Sequence, residues 1–335
     1  MTKRVLITGV AGFIGFHLCM RLIEEGYEIN GIDNMNNYYD PRLKKLRLKK
    51  IIQIAKNSTN NFIFNKIDLA DIKKISTFFH SNKFDYVIHL AAQAGVRYSI
   101  NNPNTYAESN LKGFLNVLEG CRRSNIKHLI FASSSSIYGM NNKVPFSVSD
   151  NSEYPISLYA ATKKANELMA HSYSHLYNIP ITGLRFFTVY GPYGRPDMAY
   201  FKFTKAIIEG KQIEVFNSGK IQRDFTYIDD VIEGIVRVLT HPPKLQKPKT
   251  SKAKAKFKVY NIGNNNPVRL SRFIKAIESS IGISAKKINL PMQAGDVPIT
   301  YADIDELISD FKFNPNTSIE VGIQKFVEWY KNYSL

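Results

Sequence analysis

Lys3-Arg4-Val5-Leu6-Ile7-Thr8-Gly9-Val10-Ala11-Gly12-Phe13-Ile14-Gly15 stands near the start of the chain and decides its fold. The apolar run up to Thr8 suits a strand buried on both faces of a parallel sheet. Gly9, Gly12 and Gly15 follow, and a helical segment from Phe13 to Glu25 is closed by Gly26. A glycine-rich strand-to-helix turn lets a pyrophosphate approach the helix N-terminus, because no side chain stands in its way. The spacing is G-x-x-G-x-x-G, a loose match to the G-x-G-x-x-G dinucleotide fingerprint.

Outward from that turn, a second strand, Tyr27 to Ile32, ends in Asp33. An acid about 20 residues past the glycines commonly holds the adenosine ribose hydroxyls. Neither Arg nor Lys occurs from Asp33 to Tyr39, so NAD is expected over NADP. Asn34 adjoins that acid. Strand and helix signals then alternate: a basic amphipathic helix from Asp40 to Lys56, a strand from Asn61 to Ile67, a helix from Asp71 to His80, and a strand from Phe84 to Leu90. A long helix from Thr105 to Ser124 carries Asn110, and a strand runs from Lys127 to Ala132. This alternation argues an α/β doubly wound parallel sheet, a Rossmann fold. Open parallel sheets bind ligands beyond the carboxyl ends of their strands. There lie Asp68-Leu69, Leu90-Ala91-Ala92 with small neighbours, and Ser133 to Ser136.

Ser157 to Tyr173 reads as one helix, and four residues separate Tyr159 from Lys163. That spacing stacks a phenol and an ammonium on one face. A free phenol is a poor base at neutral pH, and a fixed cation beside it favours the phenolate, which makes proton abstraction from a sugar hydroxyl feasible. Alone, the pair is better read as a solvated helix face with an accidental spacing. With the glycine turn and the serine cluster, it reads as chemistry.

The chain of 335 residues carries a formal charge of +17, and seven lysines fall between Lys244 and Lys258 without an acid. Aromatic interleaving is missing there until Phe257, so a solvated surface insertion is favoured over a nucleic-acid site. No apolar run is long enough to span a bilayer, and Met1-Thr2-Lys3-Arg4 leads straight into a strand without a cleavable signal. Cys19 and Cys121 lack metal-ligand spacing and suit reduced core thiols in a cytoplasm. The seven histidines show no paired ligand spacing, so no metal is expected. Asp229-Asp230 reads as a helix cap before Val231 to Thr240.

The glycine turn, the serine cluster and Tyr159-x-x-x-Lys163 together resemble the extended short-chain dehydrogenase/reductases. Longer strings sharpen this: Ala91-Ala92-Gln93-Ala94-Gly95-Val96-Arg97-Tyr98-Ser99, Ser157 to Glu167, Arg185-Phe186-Phe187-Thr188-Val189-Tyr190-Gly191-Pro192, and Gly194-Arg195-Pro196-Asp197-Met198-Ala199-Tyr200-Phe201-Lys202-Phe203. They are similar to UDP-glucuronate 4-epimerases. The resemblance implies an NAD-binding Rossmann domain over residues 1–183 with a return segment at about 229–264. The remainder of 184–335 is then a smaller α/β domain that binds the nucleotide-sugar. It implies tightly held NAD and inversion of C4 of UDP-glucuronate, through a 4-keto sugar, to UDP-galacturonate. Tyr159 then accepts the 4-hydroxyl proton, Ser134 hydrogen-bonds that oxygen, and Lys163 binds the nicotinamide ribose and keeps Tyr159 acidic. Gly9, Gly12, Phe13, Ile14, Gly15, Asp33, Asn34, Asp68, Leu69, Leu90, Ala91, Ala92 and Asn110 complete the cofactor site. Arg97, Ser135, Ser136, Thr188, Arg195, Arg223 and Asp296 fall to the substrate, Arg223 on its diphosphate and Asp296 on the uridine ribose.

Departures separate relatives. Ser134-Ser135-Ser136 stands where 4,6-dehydratases carry Thr-Asp-Glu, and Ser136 where decarboxylases have Glu; Thr188 replaces the Asn of UDP-glucose 4-epimerases. Gln293 occupies a position often held by a diphosphate-binding arginine. The alternatives are a UDP-glucose or UDP-N-acetylglucosamine 4-epimerase, a UDP-glucuronate decarboxylase, and a non-catalytic NAD- or RNA-binding scaffold. The resemblance also implies a homodimer built on helices 105–124 and 160–177 through Phe114, Val117, Leu168, Met169 and Leu176.

Overall fold

The computed structural model describes residues 3–58, 61–247, 252–292 and 296–334. In its first unit the strands β1 (Arg4–Thr8), β2 (Glu28–Asp33), β3 (Phe62–Lys66), β4 (Tyr86–His89), β5 (His128–Ser134), β6 (Ile181–Phe186) and β10 (Phe257–Ile262) form one sheet. Its order is β10-β6-β5-β4-β1-β2-β3, with β1–β2, β1–β4, β2–β3 and β4–β5 all parallel. The order reverses between β1 and β4, the switch point where a doubly wound sheet opens a crevice at its carboxyl edge. This is the Rossmann arrangement that the alternating pattern predicts.

Helices α1 (Phe13–Glu24), α2 (Pro41–Lys56), α3 (Ile72–Ser81), α4 (Val96–Asn101), α5 (Pro103–Tyr106), α6 (Gly113–Ser124) and α7 (Leu158–Tyr177) belong to the same unit. Apolar residues on α3, α6 and α7 meet the sheet: Phe78, Phe79, Phe114, Val117, Leu118 and Ala170 pack with Leu6, Val87, Leu129 and Phe131. Cys19 and Cys121 are free thiols buried in helices α1 and α6, in keeping with the reduced core thiols expected.

The expected single helix from Thr105 to Ser124 is three pieces. Between α5 and α6, Ala107–Lys112 forms a π-helical stretch. Its widened turn releases the Asn110 carbonyl, which accepts a 2.7 Å hydrogen bond from Asn166 Nδ2 on α7. Helical propensity carries no mark of such an inserted turn.

The chain divides into two compact units: residues 1–139, 151–185 and 234–260, and residues 140–150, 186–233 and 261–335. The second contains a three-stranded sheet, with β9 (Gln222–Tyr227) between β7 (Thr188–Tyr190) and β11 (Pro267–Arg269). A parallel pair, β8 (Gln212–Phe216) and β12 (Lys286–Leu290), lies apart from it. Helices α8 (Ala199–Ile208), α10 (Leu270–Ile281), α11 (Asp305–Phe311) and α12 (Ile319–Ser334) belong to the same unit. Phe225 stacks on Phe273 at 4.3 Å, and Phe201, Phe326, Trp329 and Tyr330 form an aromatic cluster between α8 and α12. Helix α9 (Ile228–Leu239) starts in this unit and ends in the first. Asp229 and Asp230 sit inside its first turn rather than capping it, where they favour the positive helix end. Asp230 also accepts the Thr317 N–H.

Candidate active site

The glycine turn lies at the switch point. Gly9 has φ +74°, and a Cβ there would stand 2.7 Å from the Ala91 nitrogen; a Cβ on Gly15 would run into the Gly9 carbonyl oxygen. Only glycine lets β1, α1 and the end of β4 meet this closely. The Ala91 N–H donates to Thr8 Oγ1, and the same hydroxyl shares a 2.8 Å hydrogen bond with His89 Nδ1. His89 is neutral, its pKa pushed down to about 3 by burial and then by the Lys163 charge. Gly12 begins α1 without a side-chain cap, and neither Phe13 nor Ile14 that follows it carries a polar side chain.

Asp33 closes β2 beside this turn: its carboxylate accepts the Ala11 N–H at 3.2 Å and the Met35 N–H at 2.8 Å. Asn34 donates to Asp68 at 3.0 Å, and both line a cleft of about 450 Å³ with Asn36, Lys66 and Lys74. The two lysines come from outside the 33–39 window, so a search of that window alone misses the cations nearby. Leu69 is a core side chain whose carbonyl accepts from Asn116. Two further cations escape the sequence because α2 reads as a basic surface helix. Arg47 is fully buried and donates to the Ala11 carbonyl at 2.9 Å and to the Tyr39 hydroxyl. Lys44 donates to the Asn36 carbonyl and side chain; burial lowers its pKa, and the Asp33 charge pulls it back up.

On α7, the Ser157 hydroxyl caps the helix by accepting the Ala160 N–H. Tyr159 stands in the first turn, its ring edge-on to Tyr106 at 6.1 Å. One turn on, Lys163 is buried and donates from Nζ to the Ala132 carbonyl at 2.8 Å. Burial lowers its pKa to about 8. That contact seats the ammonium on the carboxyl-terminal part of β5, on the residue two before Ser134. Asn110 spans two elements: its side chain accepts from the Gln93 N–H and donates to the Gln93 carbonyl and to Thr162 Oγ1. The loop after Leu90-Ala91-Ala92 is thereby tied to the tyrosine helix.

Ser134 Oγ accepts the Ser136 N–H at 3.2 Å and opens a short 3₁₀ turn over Ser135–Tyr138. Both ends of this turn are anchored by a buried network that the sequence hides. The Ser133 hydroxyl donates to Glu167, Arg185 forks onto both Glu167 oxygens at 2.9 Å, and Arg185 also donates to the Tyr138 hydroxyl. Removing one partner of a buried pair costs about 3–5 kcal/mol, so the turn has little freedom to shift.

Arg97 is exposed on α4. In the second unit, Thr188 begins β7 beside Phe225. Arg223 on β9 donates to the Val297 carbonyl at 2.7 Å. Asp224, fully buried next to it, accepts backbone N–H groups of Asn264, Asn265 and Ala302. Arg195 forks onto Asp197, and Asp296 is half-buried. Gln293 and the Ala294-Gly295 pair before Asp296 lie outside the described residues, as does Lys249 of the lysine-rich stretch. Among the described residues, no group of three His, Cys, Asp or Glu could hold a metal ion.

The residues fit a dinucleotide. A helix start without a side-chain cap faces the switch point, an acid stands at the end of β2, and buried cations back the turn. Fold and site together define an NAD-dependent enzyme of the Rossmann class. Residues 5–263 match the pattern of the NAD dependent epimerase/dehydratase family, and the chain belongs to it. Protein CapI of Staphylococcus aureus is 54% identical over 98% of this chain and 99% of its own length. A probable UDP-glucuronate 4-epimerase of Rhizobium meliloti is 48% identical over 98% of each. Among solved structures, a UDP-glucuronic acid 4-epimerase from Bacillus cereus, in complex with UDP-glucuronic acid and NAD, superposes with a TM-score of 0.87 at 32% identity. It covers 99% of this chain and 100% of its own.

Proposed function

We propose that the protein inverts C4 of UDP-glucuronate, giving UDP-galacturonate through a 4-keto sugar. The observation that carries this reading is the seat of Lys163 on the Ala132 carbonyl, which sets the Tyr159 helix against the Ser134 turn. Bound NAD supplies hydride acceptance and return at C4. Tyr159 receives the 4-hydroxyl proton, Ser134 hydrogen-bonds the same oxygen, and the Lys163 charge holds Tyr159 as a base. Ser135, Ser136 and Thr188 donate to the sugar carboxylate, and Arg195 carries the opposite charge. Arg223 serves the diphosphate and Asp296 the uridine ribose, with the rest of the second unit as their support. No carboxylate stands at Ser135 or Ser136 to drive elimination, which favours epimerisation over dehydration.

We also propose a homodimer through α6 and α7. The contributors differ from the sequence expectation: Phe114 and Val117 are fully buried in the core of their own unit, and Met169 packs against it. Leu168 and Leu176, each 63% exposed, remain for a partner. No described helix is long and apolar enough to cross a membrane, and two buried free thiols suit a reducing cytoplasm. Nucleic acid is not assigned as a partner.

The test is incubation of the purified holoenzyme with UDP-glucuronate and proton NMR of the product. UDP-galacturonate is expected. Turnover confined to neutral UDP-hexoses, or a UDP-pentose as sole product, overturns the reading.

A further inference from the structure

The stretch that runs into the π turn holds Tyr159 at two points. At the backbone, Asn110 Nδ2 donates to Thr162 Oγ1 at 3.1 Å, and the buried Thr162 hydroxyl donates to the Tyr159 carbonyl at 2.8 Å. At the ring, Tyr106 stands edge-on to Tyr159 with 6.1 Å between centroids. Tyr106 ends α5 immediately before the π turn, Asn110 lies inside it, and helices α4 and α5 both pack against α7.

Tyr106 has little room to move. Its side chain is fully buried, and its hydroxyl donates to the carbonyls of Ala94 and Gly95 in the loop after β4. Gly95 takes φ +105°, and a Cβ on it would stand 2.6 Å from the Tyr38 hydroxyl, so the loop is closed on that side too. Tyr98 completes the set, edge-on to Tyr38 at 4.8 Å and tilted against Tyr106 at 6.3 Å. A ring held at its hydroxyl and along its flank in a close-packed interior is a rigid wall for the next ring.

We propose that Tyr106 is a positioning residue for Tyr159: its ring fixes the rotation of the Tyr159 side chain and hence the place of the phenol oxygen. This inference rests on the reading of Tyr159 as the proton acceptor. Helix α7 sets the Tyr159 Cα and Cβ, but the phenol oxygen lies beyond two rotatable bonds and is the atom that any rotation displaces most. Proton transfer requires that oxygen within hydrogen-bond reach of the 4-hydroxyl at the moment hydride leaves the same carbon. The Tyr106 hydroxyl serves the loop and the Tyr106 ring serves Tyr159, so substitution can separate the two.

NAD-loaded Tyr106→Phe, Tyr106→Leu, and Tyr106→Leu in a Tyr159→Phe background test this, with kcat and KM measured on UDP-glucuronate beside NAD content and melting temperature. Tyr106→Leu removes the ring and is expected to lower kcat about tenfold, the scale of one edge-on aromatic pair, with KM and NAD content near wild type. Tyr106→Phe keeps the ring and restores most of kcat, although it melts lower because two buried carbonyls lose their donor. In Tyr159→Phe protein, Tyr106→Leu lowers the residual rate no further, since the ring acts through the phenol. An equal loss of kcat in Tyr106→Phe and Tyr106→Leu assigns the effect to the hydroxyl and overturns the proposal. So does near-normal kcat in Tyr106→Leu, a loss confined to KM, or an additive loss in the Tyr159→Phe background. If Tyr106→Leu fails to retain NAD, Tyr106→Met, which refills more of the volume without an aromatic ring, carries the same expectations. Near-normal turnover of Tyr159→Phe by itself sinks the reading of Tyr159 and this proposal with it, a result distinct from the others. Failure of the wild type on UDP-glucuronate sinks the substrate reading alone, and the same comparison then runs on the neutral UDP-hexose that it turns over.

Discussion

At the scale of single residues, the proposed chemistry rests on one hydroxyl and one ammonium. Tyr159→Phe deletes a single oxygen and keeps the ring against Tyr106. Removal of a general base lowers turnover by about 10²–10⁴-fold, with NAD retention and UDP-sugar binding intact; near-normal turnover would assign the proton to another group. In the proposed mechanism Lys163 sets the pH range. Its folded pKa, about 8, lies below the ordinary lysine value because burial disfavours the charge. For stability, a depressed pKa means that the contribution of this group is present above the ordinary value and is lost as pH falls through about 8. For catalysis the sign is opposite, since the cation is the working form: kcat/KM should fall as pH rises through about 8. A profile flat to pH 10 would exclude this role. That Tyr159 and Lys163 share one helix, a turn apart, was legible from sequence because the run from Ser157 has helical residues throughout. The Arg195–Asp197 pair was not, since nothing in Gly194-Arg195-Pro196-Asp197 says which acid faces which base.

Among the elements, buried polar hubs do the positioning. Asp224 on β9 gathers Asn264, Asn265 and Ala302 by their N–H groups, at 2.6 to 3.0 Å. Burial raises its pKa to about 6, and the three N–H groups pull it back down. The native state therefore binds a proton more readily than the unfolded chain. This contribution to stability is complete below the ordinary value of 3.8 and is lost as pH rises through about 6. Asp224→Asn puts an amide nitrogen where both carboxylate oxygens accept N–H donors. A loss of about 2–4 kcal/mol is expected, read as a lower melting temperature at pH 7, together with loss of the stability change between pH 4 and 6. A variant as stable as wild type would show that these contacts are replaceable. The strand and helix elements were readable because each follows from local periodicity. The Ser133–Glu167–Arg185 network was not, because its members lie 34 and 18 residues apart in sequence. Arg47 misled in the other direction: charge on an amphipathic helix reads as surface, yet this one is sealed against Ala11 and Tyr39.

For the whole molecule, the proposed homodimer makes its own prediction. Leu168 and Leu176 lie on the exposed side of α7, and water-facing leucines at one helical stripe suit a partner helix. Replacing both with Asp should convert a dimer to a monomer in light scattering at micromolar concentration, with melting and NAD content near wild type. A wild-type monomer under the same conditions would remove the proposed interface. Phe114 and Val117 mark the limit of sequence here, since an apolar helix position does not say whether it meets its own sheet or another chain.

The π turn at 107–112 makes chain length itself a part of how the loop after β4 is held. A regular helix advances about 100° per residue, so the extra residue resets the angular phase between α5 and α6. A chain one residue shorter in this stretch would restore an unbroken helix and swing Asn110 by about that angle, off Gln93 and Thr162 together. The substitution of any side chain on α6 leaves that phase intact, whereas one deletion changes every direction downstream at once. The counting frame of the polypeptide, as much as its alphabet, is what holds the loop after β4 against the tyrosine helix.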